Sequence, residues 1–179
     1  MDIHIKKDEK TVEWNIGEKI ITIYNENLLY AFKHGKNMLM IKEKFDTSES
    51  GFTAYDAEGN RIFSYKYLGD NIVFREADIV RINERIISAD YEEEKRMLVI
   101  LKEAGETRSL LIYDENGSFI AEIGAPSGYT FISLKNNAVN IMVAAQGTTD
   151  MTKDSFGRND WNFTIDFNNF YVEKKTVTQ

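Results

Sequence analysis

The chain has 179 residues, 42% of them apolar and 12% aromatic, and its 22 Lys and Arg oppose 29 Asp and Glu for a net charge of −7. That is enough chain to close a hydrophobic core, the composition is too apolar for a disordered protein, and no run approaches the uncharged length of a spanning helix. The absence of cysteine excludes disulfides, thiolate metal sites and cysteine nucleophiles.

From the amino terminus, MDIHIKKDEK alternates charge with single apolar residues and lacks the continuous apolar stretch of a secretory signal, so a cytoplasmic location is expected. Period-two alternation then marks strands at Ile3 and Ile5, Val12 and Trp14, and Ile21 and Ile23. Further strands are predicted over 38–41, 52–55, at Ile62 and Phe63, over 72–74, and at Val80 and Ile82. Residues 81–97 bring Ile82 and Ile86 near helical spacing. The β-branched pair Ile86-Ile87, followed by Ser-Ala-Asp, favours a strand, a charged turn and a strand instead. Strands follow over 98–101, 110–113, 119–123, 131–134, 139–143, 163–167 and 171–172, with Pro126 marking the loop before the strand at Phe131. The predicted fold is all-β, a single domain over residues 1–179, built from antiparallel hairpin repeats as an incomplete or small β-propeller or a curved β-sandwich.

The turns carry their own signal. In Asp114-Glu-Asn-Gly117 the Asn-Gly pair suits the positive φ angles of a tight hairpin, and Asp56-Ala-Glu-Gly-Asn60 has the same form. An offset of 58 superposes Tyr55-Asp56 on Tyr113-Asp114, Gly59 on Gly117 and Ile62 on Ile120, which reads as two copies of one unit. Shorter echoes at 23–28 and 165–170 predict two more hairpins of the same kind.

No catalytic constellation emerges. The two histidines, His4 and His34, lie in a strand and a basic turn with no partner motif. Neither phosphate-binding glycine motif is present, and Gly124-Ala-Pro-Ser-Gly128 lacks the spacing of a nucleophile elbow. Asp150, Asp154 and Asp160 lie at intervals that do not fit a calcium loop, with Lys153 and Arg158 between them. No cofactor or metal is expected. Residues 90–124 hold nine carboxylates, among them Asp90, Glu92, Glu93, Glu94, Glu103 and Glu106, against four basic residues. Such a surface repels nucleic acid and steers a basic protein. Residues 147–161 form the longest polar loop, and its Phe156 and Arg158 are of the types that dominate interfaces; Trp161 reads either as part of that loop or as a core residue opening the next strand. The candidate partner-binding set is therefore those six acids with Asp150, Asp154, Phe156, Arg158 and Asp160.

The strand–Tyr113-Asp114-Glu-Asn-Gly117–strand unit and the closing Trp161-Asn-Phe-Thr-Ile-Asp166 strand resemble segments of small β-rich immunity proteins of bacterial toxin systems. The resemblance implies a non-enzymatic cytoplasmic inhibitor covering the active site of a basic toxin domain, with no direct contact to nucleic acid or membrane. A propeller-like carbohydrate-binding or glycoside-processing domain, using a carboxylate pair, is the alternative.

Overall fold

The computed structural model describes residues 3–75, 78–136 and 140–177. They form seventeen strands, one short 3₁₀ turn and no α-helix. The strands are β1 (Ile3–Lys6), β2 (Thr11–Ile16), β3 (Lys19–Tyr24), β4 (Leu28–His34), β5 (Met38–Lys44), β6 (Ser50–Tyr55), β7 (Arg61–Lys66), β8 (Asn71–Phe74) and β9 (Asp78–Arg81). They continue as β10 (Arg85–Glu92), β11 (Met97–Ala104), β12 (Thr107–Tyr113), β13 (Phe119–Gly124), β14 (Tyr129–Asn136), β15 (Ile141–Gly147), β16 (Asp160–Asp166) and β17 (Tyr171–Val177). All pairing is antiparallel between consecutive strands, giving four meander sheets: β1–β3, β4–β9, β10–β13 and β14–β17. None closes into a barrel. The chain folds as two compact units, Met1–Asn83 and Glu84–Gln179. No helix among the described residues is long and apolar enough to cross a membrane.

The all-β expectation holds, and residues 81–97 are strand, turn and strand as the β-branched pair requires. Most strands extend beyond the runs that alternation marks, β17 by five residues, and β4 has no marked run of its own. The start of the predicted 139–143 strand, Val139, lies outside the described residues. The predicted hairpin at 23–28 is a correction: β3 and β4 belong to different sheets. Asn25 makes this crossing, its side-chain oxygen accepting the Asn27 N–H at 2.9 Å while its amide donates to Glu43 at 2.6 Å.

In the first unit, one face of β2–β3 packs Val12, Trp14 and Ile21 on Leu39 and Ile41 of β5. Trp14 is fully buried and its indole N–H donates to the Ala57 carbonyl at 2.7 Å, fastening the β6–β7 turn to the first sheet. In the second unit, Val99, Leu101, Leu110, Ile112 and Ile123 of one sheet share a core with Phe131, Ile141, Val143, Phe163 and Ile165 of the other. The alternation of the strands places these side chains on one face, and each sheet supplies the other's apolar cover.

The repeat read from sequence reappears in the hydrogen-bond register. β6–β7 pairs Gly51 with Lys66 and Ala54 with Phe63, and skips Ile62. β12–β13 pairs Ser109 with Gly124 and Ile112 with Ala121, and skips Ile120. Every one of these positions is related by the offset of 58. The opening strands of the two copies are bulged at Leu29 and Ile87, again 58 apart. The other four-stranded sheet, β14–β17, has bulges at Ile132 and Lys175, in its first and last strands as β10–β13 has at Ile87 and Ile120.

The turn geometry differs from the tight Asn-Gly hairpin in one respect. Only Gly117 has positive φ, at 78°, and Asn116 does not. The Asp114 carboxylate accepts the Asn116 and Ser118 N–H groups at 2.8 Å each, holding a five-residue loop that needs one left-handed residue rather than two.

Candidate partner-binding loop

The segment 148–159 leaves β15 and returns in β16, and it is built around two anchors. At its base, Gly147 N–H donates to the Asn159 carbonyl at 2.8 Å, and the Asn159 amide donates back to the Gly147 carbonyl at 2.7 Å. Buried Thr152 donates from its hydroxyl to Thr149 O and is within 2.6 Å of Asn159 Oδ1. At the tip, Asp154-Ser-Phe-Gly157-Arg158 repeats the Asp56 and Asp114 turns: Asp154 N–H donates to Arg158 O and Gly157 N–H to Asp154 O, with Gly157 at φ 79°. The Asp-x-x-Gly spacing at 154–157 is the signal by which this third copy is legible in the sequence.

The anchoring has a consequence for what the loop presents. Met151 is 96% exposed and Phe156 81% exposed, the two largest apolar exposures among the described residues, and both sit on backbone held by side-chain bonds. The Arg158 guanidinium lies 5.3 Å from the Phe156 ring centroid and pairs with Asp154 at 2.8 Å. Burial of the Asp154 carboxyl acts to raise its pKa, but the N–H groups of Arg158 and Phe156 and the guanidinium outweigh it and hold it below the ordinary range. Asp150 is held low by its hydrogen bond and charge pairing with Lys153. Asp160, at the start of β16, is exposed. Trp161 faces inward, partly buried on the core, donating to Thr152 O at 2.9 Å and covered by Lys174 at 3.2 Å from its ring centroid.

The acids of 90–124 do not form the continuous anionic surface that their clustering in sequence predicts. Asp90 is buried, 3% exposed, and accepts the Tyr91 N–H at 2.7 Å and the Asn136 amide at 3.1 Å, so it is an internal hydrogen-bond acceptor rather than a surface charge. Glu103 lies between Arg108 at 2.8 Å and Arg85 at 3.7 Å. Lys102 pairs with both Glu84 and Glu122, and Arg96 with Glu115 at 2.6 Å. Antiparallel pairing puts Glu103 directly across from Arg85 and Arg108 and brings Lys102 within reach of Glu122 two strands away, and the turns bring Arg96 to Glu115. Glu106, in the two-residue β11–β12 turn, is exposed.

Glu92, Glu93 and Glu94 gather at the β10–β11 turn. Desolvation pushes the Glu92 carboxyl up, and the charges of Glu94, Asp90 and Glu93 add to it. Because the folded pKa is raised, the contribution of Glu92 to stability is greatest below its unfolded value and is lost as pH rises through the folded one. Glu92→Gln is therefore expected to raise the urea midpoint at pH 7 and to leave it unchanged near pH 3.5, checked by paired denaturation curves.

The two groups of predicted contact residues stand apart. Lys95, in the Glu92–Glu94 turn, donates to Asn168 in the β16–β17 turn at 3.2 Å. The loop 148–159 enters the opposite end of β16, a seven-residue strand, which separates it from that turn by roughly 20 Å. Arg108 donates to Phe131 O, close to the Tyr129–Gly147 pair, and this brings the β11–β12 turn with Glu106 to the end that carries the loop. Among the described residues no three His, Asp or Glu side chains gather as metal ligands. The sequence matches no family model, and no curated protein is significantly similar to it.

Proposed function

We propose that the chain is a non-enzymatic binding protein of the cytoplasm, and that its concrete role is that of an immunity protein covering the active site of a basic toxin domain. The observation that supports this reading is the pinned loop 148–159, which holds Met151 and Phe156 outward on an ordered backbone. An aromatic side chain on a backbone that is already ordered, its ring lying against Arg158, loses little entropy on binding and makes an efficient anchor, with Met151 of the same loop adding apolar area. Asp160 and Glu106 are exposed at the same end, where a basic partner would meet them, while Asp150 is already paired with Lys153. The contact surface is thus centred on the loop, with Glu92, Glu93 and Glu94 outside it.

The test is capture of a basic nuclease-type toxin domain from the native host on the immobilised chain. Met151→Ala with Phe156→Ala is expected to weaken that complex by about a hundredfold while leaving the melting temperature of the free protein unchanged. Capture of no such domain, or equal capture by the double variant, would overturn the reading.

A further inference from the structure

Sheet edges invite pairing, and folded proteins blunt them with bulges, short strands or charge. Among the described residues the four sheets have eight edge strands. Five of them, β4, β10, β13, β14 and β17, carry a bulge, at Leu29, Ile87, Ile120, Ile132 and Lys175. Two more, β1 and β9, are only four residues long. The remaining one, β3, is six residues of unbroken register, Lys19-Ile-Ile-Thr-Ile-Tyr24, with no proline, no glycine and a single charge.

Which backbone groups of β3 face outward follows from its turn. Gly17 takes φ 58° at the first position of a two-residue connection, so the closing pair Ile16–Lys19 is hydrogen-bonded. Lys19, Ile21 and Ile23 then bond to β2, and the Asn25 N–H donation to Lys10 O at 2.8 Å continues the same phase. The N–H and C=O groups of Ile20, Thr22 and Tyr24 point away from β2, and among the described residues none of them has a backbone partner. Their side chains share one exposed face, with Ile20 64% and Tyr24 67% exposed.

We propose that β3 pairs with β3 of a second copy, antiparallel about a twofold axis through Thr22, joining two three-stranded sheets into one. The strand is complementary to itself in that register. Ile20 faces Tyr24 of the second copy, Tyr24 faces Ile20, and Thr22 faces Thr22, which are the β-branched–aromatic and Thr–Thr pairs that stabilise sheets. All three outward residues fall in hydrogen-bonded pairs, forming about six backbone bonds. A shift by two residues in either direction leaves one of the three outside the pairing.

Sedimentation or light scattering across low to high micromolar concentrations is expected to show a concentration-dependent species of twice the 20.7 kDa chain mass. Thr22→Lys places like charges opposite each other and is expected to raise the dimer dissociation constant at least about tenfold. Its monomer melts as the parent does, because Thr22 is exposed. An equimolar mixture of Thr22→Lys and Thr22→Glu is expected to restore association. The chain has no cysteine, so a disulfide formed by Thr22→Cys under oxidation reports this axis alone. A parent chain that stays monomeric at every concentration, its edge left to a strand of another protein, overturns the proposal. So does a dimer that survives Thr22→Lys, and failure of Thr22→Cys to cross-link overturns the register.

Discussion

Replacing Trp14 with alanine is expected to destabilise the first unit by about 3 to 5 kcal/mol, the range found for removing a large aromatic from a closed core. Trp14 is fully buried among Val12, Ile21, Leu39 and Ile41, so its loss opens a cavity between the β1–β3 and β4–β9 sheets. The same change removes the donor to the Ala57 carbonyl, leaving the β6–β7 turn without its tie to the first sheet. That turn is already close to Ile21: a methyl at Gly59, where φ is 91°, would lie 2.8 Å from the Ile21 side chain. The turn and the indole therefore support each other. Thermal denaturation followed by circular dichroism is the measurement. Trp14→Phe, which loses the N–H and leaves a smaller cavity than alanine does, should fall between the parent and the alanine variant, and equal melting of all three proteins would refute the account.

The second large effect is expected at Gly147. A Cβ built there would overlap the Thr152 hydroxyl and the Asn159 side-chain oxygen, the two groups that pin the loop. Gly147→Ala cannot be accommodated by turning a flexible side-chain end, because Thr152 is buried, its hydroxyl donating to Thr149 O and lying against Asn159 Oδ1. Overpacking of this kind costs about 1 to 3 kcal/mol. Release of the loop would lessen that cost at the expense of the Thr152 and Asn159 bonds, worth about 0.5 to 1.5 kcal/mol each. The expected outcome is rapid amide exchange and proteolytic cleavage within 148–159 while the β10–β13 sheet keeps its protection. Loss of partner capture by Gly147→Ala, with Phe156 still present, would then separate the anchor from the holding of the anchor. Unchanged exchange in the loop would show that Gly147 is not what fixes it.

Much of the fold is written locally. Alternation of apolar and polar residues identifies strands because a sheet face repeats every two residues, and the Asp-x-x-Gly turns are legible because a carboxylate and one left-handed glycine close the loop without outside help. The offset of 58 is visible in the residues, and the register shows that it extends to the bulges at Leu29 and Ile87, Ile62 and Ile120. The anchors of the loop, by contrast, depend on Thr152 meeting Asn159 and Gly147, and no periodicity reports such a meeting.

Charge was the least legible property from sequence. Nine carboxylates within residues 90–124 look like one surface in a linear reading, yet antiparallel pairing sets Glu103 beside Arg108 and Lys102 near Glu122, while packing takes Asp90 inside. Sequence alone determined most of the strand content, the Asp-x-x-Gly turns and the repeat, since each strand and turn depends on neighbours within a few residues, while the 23–28 crossing between sheets was not legible. Only the tertiary structure decided which acids keep a solvent face, which apolar side chains the pinned loop holds outward, and which sheet edge is left unguarded. Those outcomes depend on partners brought together across strands, where Coulomb pairing and desolvation act over distances that chain separation does not record.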